Sequence, residues 1–527
     1  MTPDDVTPEA DATPEADATP ATDAATLDTS RARGRRRGAR RRPPRLPILL
    51  IVIAAIVAAA VYQGRDTTST ANSAGATDVA ALAAVGVPPS AAVSTSWFCA
   101  EGTSNDGGRA DETILVGNVS KSEVRATITV MPGGDAKPVS RELTVAPGAE
   151  ARVKVASILA TAEPGVVVEA VGGRAVVSHS LEHNGDLAVE PCSRTTSSSW
   201  YFAAGTTVKG SEHYLVLFNP FGDDAIADVS FITDTGVQQP DNVQGLVIPR
   251  RSRVSVAVHD LVPRQERVAT AVHLRAGRVV AERDQIFDGT APDSGPTRTG
   301  IAVSLGATAT ARQWVIPAGT STNGATSTVA VANYSNLDTE AEVAILLPDG
   351  QTASPQSVKV ASRQVVNVDF TNRVPVDSPY SVVVRSRSAE GATEPVVAES
   401  LSWWPASSPT TGVASTLGPG RAARRWVVLL PDVDADAVLT VTNTGTKPVT
   451  AALLPASQID RATGPTSEPE RAVAVNSITS FTVLNLRTSR GALVITADHP
   501  VYVGLTVLGA AGASTSAAFP DYEYTGK

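Results

Sequence analysis

Residues 96–103 read SWFCAEGT, and the pattern returns as SWYFAAGT at 199–206, QWVIPAGT at 313–320 and RWVVLLPD at 425–432. The tryptophans Trp97, Trp200, Trp314 and Trp426 stand 103, 114 and 112 residues apart, which is the length of a whole domain. Each is followed by an apolar run ending in asparagine: ILVGN at Asn118, LVLFN at Asn219, VAVAN at Asn333 and LTVTN at Asn443. A polar turn comes next, then an alternating run: VRATITVMPGG, IADVSFITDTG, AEVAILLPDG and VTAALLPAS. Alternation of apolar and polar residues is the period of a half-buried strand. The asparagine side chain can accept a hydrogen bond from the backbone two residues on, so a strand-ending turn accounts for it without any ligand.

Working outward, a third unit reads as a hairpin in every copy (LTVAPGAEARVKV, LVIPRRSRVSVAV, VKVASRQVVNVDF, VAVNSITSFTVLN). A fourth reads as another (VVVEAVGGRAVVSHS, VATAVHLRAGRVVAER, YSVVVRSRSAEGATEPVVAES, LVITADHPVYVGL), and a short closing run follows. Each copy thus holds seven or eight short strands and no helix of period 3.6. A propeller is the rival for repeated β units, but its blades need only about 40 to 50 residues. The predicted fold is all-β: four tandem immunoglobulin-like β-sandwich modules at 95–196, 197–310, 311–422 and 423–527, after a disordered tail, one transmembrane helix and a linker at 63–94. Short connections between copies predict an elongated or tightly abutting array.

The rest of the chain sets the compartment. Residues 1–30 hold eight acidic residues among Ala, Thr and Pro, and nine arginines crowd 31–45, so 1–45 reads as a disordered cytoplasmic tail. The uncharged apolar run 46–62 (LPILLIVIAAIVAAAVY) would rise about 25 Å as a helix, the short end of what spans a bilayer. It reads as an uncleaved signal anchor, with a small-residue cleavage site at 58–60 as the alternative. Arginines stay inside, so the N-terminus is cytoplasmic and the repeats are extracytoplasmic in a single-pass membrane protein. The 53 acidic and 44 basic residues give a net charge of -9 over 527 residues, which excludes a global electrostatic case for nucleic acid. Only two cysteines exclude a disulfide scaffold and a multi-cysteine zinc protein. Cys99 and Cys192 mark the first and last strands of the first module, and a disulfide between them is predicted.

Motifs that resemble chemistry weaken in context. Residues 179–183 spell HSLEH, an inverted zinc-peptidase pattern. On a strand, however, His179 and His183 lie about 13 Å apart, beyond the reach of one ion, and the stretch reads as a solvated strand end. Asp432, Asp434 and Asp436 open like a calcium loop but lack its glycine and its closing glutamate. His213, His259, His273 and His499 are scattered. The sequons at Asn118 and Asn333 fall on the repeated turn. No catalytic residue, cofactor or metal site is predicted, and the expectation is a non-enzyme. The four repeated tryptophans read as core, whereas Trp403 and Trp404, present in one copy only, are the candidate exposed contact.

At the W-(x)4-G-T start and the NPFGDD turn at 219–224, with the acidic tail, arginine cluster and single anchor, the chain resembles actinobacterial single-pass envelope proteins of unknown function with repeated β-sandwich modules. That resemblance implies a part in envelope assembly, since such proteins are encoded near cell-wall glycosyltransferases. It offers no catalytic residues. The expected function is a non-enzymatic, membrane-anchored extracytoplasmic protein that binds or scaffolds other components of the bacterial cell envelope, envelope proteins or cell-wall glycan being the expected partners. A glycan-binding or glycan-processing accessory for the cell wall is the alternative, and a transmembrane regulator signalling through its tail is the second.

Overall fold

In the first repeat, eight strands follow one another: β1 (Ser94–Cys99), β2 (Asp111–Asn118), β3 (Val124–Met131), β4 (Val139–Val145), β5 (Glu150–Lys154), β6 (Gly165–Val171), β7 (Ala175–His183) and β8 (Asp186–Pro191). They are taken from a computed structural model that describes residues 84–525 except 135, 294, 323, 388–392, 406–409, 460–469, 488–490 and 510–511. The tail, the arginine cluster, the run 46–62 and most of the linker lie outside the described residues. Among those described, no helix is long and apolar enough to cross a membrane.

The strands form two antiparallel sheets, ordered β1-β6-β3-β4 and β5-β2-β7-β8. Alternation decides which side chains meet between them: Val124, Ala126, Ile128 and Val130 of β3 point inward and share one core with β2, β6 and β7. The same two sheet orders recur from Ser199–Phe202 to Thr299–Leu305, from Gln313–Ile316 to Gly412–Leu417 and from Ala423–Val428 to Gly512–Ala517. The fold is all-β apart from single turns of helix, of which Val258–Leu261 (α1) is the α-helical one among the described residues.

Connectivity departs from the sequence reading. The third and fourth units are not hairpins, because β5 pairs with β2 and not β4, and β7 pairs with β2 and not β6. At both places the chain crosses between sheets. In the fourth repeat it crosses inside one unbroken strand, Leu493–Gly509, which pairs first with Ala423–Val428 and then with Ala435–Asn443. Alternation reports a half-buried strand but not the sheet it joins. The true hairpins are β3–β4 and β7–β8.

The repeated residues have structural work in every copy. Trp97, Trp200, Trp314 and Trp426 are all buried, and the last three donate their indole N–H to the carbonyls of Val279, Val396 and Val501 at 3.0, 2.7 and 3.0 Å. Asn118, Asn219, Asn333 and Asn443 each accept the N–H two residues on, at 2.8 to 3.1 Å. Their amides also donate across the sandwich to the carbonyls of Val145, Ile248, Val360 and Val473. Each asparagine therefore ties the turn to the end of the fourth strand, and the buried amides of the two sequons are already engaged.

The disulfide Cys99–Cys192 is present and joins the end of β1 to the residue after β8. The four repeats close into a ring. β8 packs on Thr299–Leu305, that strand on Gly412–Leu417, that one on Gly512–Ala517, and the last returns to β8. The fourth and first repeats also share a core, in which Val427, Leu429, Val494 and Phe519 join Trp97, Val116 and Val177. Segments near the two ends of the described chain fasten the seam: Val87 N–H donates to the Pro520 carbonyl at 2.9 Å, and Arg174 binds Pro88 and Asp521 at 2.8 and 2.6 Å.

Candidate functional site

The tight start of each repeat places its backbone against the next repeat. Two residues before the threonine of SWFCAEGT, the Glu101 N–H donates to the Glu282 carboxylate at 2.6 Å. One repeat on, the Ala204 N–H donates to Glu399 at 3.0 Å. Glu282 and Glu399 occupy matching positions, opposite Leu305 and Leu417 in their hairpins. In the fourth repeat the matching residue is Gly504, where a Cβ would stand 2.7 Å from Ala318 Cβ, so backbone contact replaces the carboxylate. At the seam the Leu430 N–H finds Glu150 at 3.3 Å. The W-(x)4-G-T pattern is thus a junction motif.

At the junction of the second and third repeats, Arg283 forks onto Glu399 with bonds of 2.7 and 2.9 Å, both side chains being about 1 % exposed. Ser304 and Ser415 donate to the same carboxylate at 2.6 and 2.9 Å. Burial alone would raise the Glu399 pKa, but Arg283 and these donors hold it below the usual carboxylate range.

The junction of the first and second repeats is richer in acid. Glu101, Glu112, Glu190, Glu282 and Asp284 are buried there with His179, Arg253 and the partly exposed Arg109. His179 Nδ1 lies 3.1 Å from Glu112 and Nε2 lies 3.6 Å from Glu282. Burial opposes charge on His179, but Glu282, Glu112 and Glu190 overcome it and lift its pKa to about 9. Burial pushes Glu112 up to about 7 and raises Glu190, Glu282 and Asp284 as well.

This cluster predicts a pH dependence. His179 binds its proton more tightly in the fold than its ordinary 6.5, so its contribution is complete below that pH and is lost as pH rises through about 9. Glu112, raised from 4.5, loses its contribution as pH rises through about 7. Each is worth at most about 3 kcal/mol, and the two are not additive because they share a hydrogen bond. Buried His213, pushed well below 6.5 by burial and Arg283, acts oppositely and withdraws stability as pH falls below that value. The expected result is a urea midpoint that declines steadily between pH 7 and 9.5. A midpoint that rises over that interval contradicts the assignment.

Several sequence-based expectations are revised. His179 is not at a solvated strand end but fully buried, while His183, four residues along β7, is partly buried and bonds the Arg109 carbonyl. The two face different neighbours, as strand geometry requires. Trp403 and Trp404 are not an exposed contact: they are 7 % and 1 % exposed. Trp403 packs with Phe287 and Ala302 of the second repeat under the Arg298 guanidinium, and Trp404 packs against Ala513 of the fourth. Consecutive residues face opposite sides of a strand, and here both sides are covered. His213 meets His259 through its backbone N–H at 3.0 Å, not ring to ring. Asp436 accepts the Asn485 N–H at 2.9 Å, whereas Asp432 turns to Arg152 at 3.6 Å.

Asp432 borders a cleft of about 480 Å³ between the first and fourth repeats. Its floor is the outward face of β5, β2 and β7, and register fixes the pattern of charges. Asp111 lies opposite Glu182 at one corner, Thr113 lies between Ser180 and Lys154 along the next row, and Arg152 follows. Val433 and Arg487 of the fourth repeat close the opposite side.

No curated protein matches the chain. Among solved structures, Thermotoga maritima 1070 is similar at 18% identity over 21% of this chain and 93% of its own, with a TM-score of 0.18. A tetra-tandem repeat from the extending region of a large adhesion protein is similar at 11% identity over 81% of this chain and 99% of its own, with a TM-score of 0.10. TM-scores this low carry neither likeness to the level of a shared fold. A family profile reaches further: residues 175–467, more than half of the sequence and running from β7 of the first repeat into the fourth, match DUF5719, and the chain belongs to that family of unknown function.

Proposed function

We propose that the chain is a non-enzymatic extracytoplasmic protein of the bacterial envelope, anchored by residues 46–62, whose ring of modules binds or scaffolds other envelope components. Each module is read as an immunoglobulin-like sandwich with limits at 95–196, 197–310, 311–422 and 423–527. In support, the second strand pairs with the fifth and the third with the sixth, as B–E and C–F do in that fold. The seventh strand differs, since it joins the second and so carries the eighth toward the ring axis.

The observation that carries the reading is the closure of the ring. Buried carboxylates at two junctions and a core shared across the seam spend the interior polar groups on holding modules to one another. The result is a platform that presents loops of four modules in fixed positions, and rigid placement of loops is the usual basis of recognition. The arginine-flanked apolar run supports the anchor and the orientation. The alternative based on sugar stacking on Trp403 and Trp404 loses its support, because both rings are covered.

The test is photo-crosslinking in cells from positions around the exposed face of the ring. Recovery of an envelope protein from several adjacent positions is the expected result. Recovery of cytoplasmic proteins alone, or a turnover of cell-wall glycan by the purified chain, would sink the reading.

A further inference from the structure

From the face of the cleft between the first and fourth repeats we infer a binding site for a short peptide that carries both a free amine and a free carboxylate. It deepens the proposed binding role by naming a ligand class for one surface.

The cleft of about 480 Å³ lies within the range of small-ligand sites. Asp111 and Glu182 are cross-strand neighbours, and like charges directly opposite one another destabilise a sheet. Both are exposed, and neither side chain has a hydrogen bond or ion pair among the described residues. The same holds for Lys154 and Arg487 on the other margin of the cleft. One corner thus holds an uncompensated acid pair and the other margin two uncompensated cations, with the hydroxyls of Thr113 and Ser180 on the floor.

Distances select the ligand. Lys154 and Glu182 stand two strand spacings apart and one row apart, which is about 10 Å across and about 7 Å along, or about 12 Å in all. An extended tripeptide spans about 10 Å between its ends. Its amine would sit between Asp111 and Glu182, its carboxylate between Lys154 and Arg487, and its amide N–H groups would face the hydroxyls of Thr113 and Ser180. A neutral oligosaccharide would leave four charges unanswered.

The experiment is calorimetric titration of the full chain in detergent with trialanine, N-acetyl-trialanine and trialanine amide. Trialanine should bind, and blocking either end should weaken it tenfold or more. In Glu182→Gln the penalty for acetylation should shrink to less than threefold, and in Lys154→Met the penalty for amidation should shrink likewise. Both side chains are exposed, and an unchanged melting temperature verifies folding. Absence of trialanine binding, equal binding of the blocked peptides, or binding of a chito-oligosaccharide that ignores both substitutions overturns the assignment. None of these outcomes bears on the crosslinking result, so the scaffold reading stands or falls separately.

Discussion

Replacing Glu399 by alanine lowers the unfolding free energy by about 3–5 kcal/mol, the cost of breaking a buried ion pair from one side. The carboxylate holds together two repeats. It takes both arms of Arg283 at 2.7 and 2.9 Å, the hydroxyls of Ser304 and Ser415, and the Ala204 N–H at 3.0 Å. With the carboxylate gone, a guanidinium that is about 1 % exposed keeps its charge and loses the only carboxylate it is paired with among the described residues. Arg283 still donates to the Ala204 carbonyl and to Ser304 and Ser415, but neutral acceptors do not offset the desolvation of a cation. The double variant Arg283→Met, Glu399→Leu should recover most of the loss, because an apolar pair of similar volume removes the charge that needed compensation. Guanidinium unfolding of the three variants measures this. A loss below about 1 kcal/mol in the single variant, or no recovery in the double, would show that the pair does not hold the junction.

How much of this could be read in advance follows from the same residues. The count of modules and their strand content were legible because Trp, Asn and the alternating runs keep one phase through four copies. Sheet membership was not legible, since β5 and β7 have the same alternation whichever sheet they join. The ring was hidden for a different reason: its junctions rest on single residues that differ between copies, Glu282, Glu399 and Gly504 at one matched position. A signal was present in Val280–Asp288, which reads VAERDQIFD. It places four consecutive polar residues inside a strand that continues apolar on either side, and Glu282 to Gln285 are all buried. Charges that a strand cannot expose must be answered by a neighbour. The run ESLSWW in Val397–Trp404 carries the same message, for every one of its positions is buried, so both faces of the strand are covered. Reading Trp403 and Trp404 as exposed assumed one wet face. The cleft was illegible because it needs the outward residues of β2, β5 and β7 brought under a loop nearly three hundred residues away.

Substituting Gly412 by alanine should cost about 2–6 kcal/mol and loosen the ring at its axis. Four closing strands meet there at Asp186, Gly412 and Gly512, which begin their strands, and at Gly300, the second residue of its own. The three glycines adopt φ of +114, +120 and +104°, angles that side-chain-bearing residues rarely hold, at about 1–3 kcal/mol each. Space is short as well. A Cβ on Gly412 would stand 2.9 Å from the Ala513 nitrogen, 3.5 Å from the Gly512 Cα and 3.7 Å from an Asp186 carboxylate oxygen, and a Cβ on Gly300 would stand 3.0 Å from the Gly412 Cα. Overpacking of such a site adds about 1–3 kcal/mol. The three missing side chains leave the room that Asp186 occupies, so the axis tolerates one carboxylate and no more. Gly236 separates the two contributions, because its φ of +110° is as unusual but nothing lies within 4 Å of its Cβ position. Gly236→Ala should therefore lose only the conformational part, with the ring intact. Gly412→Ala should lose more, and limited proteolysis should then cut between repeats where the parent chain resists. Equal losses in the two variants would mean that backbone strain alone dictates glycine at the axis and that the four strands are not packed to contact there.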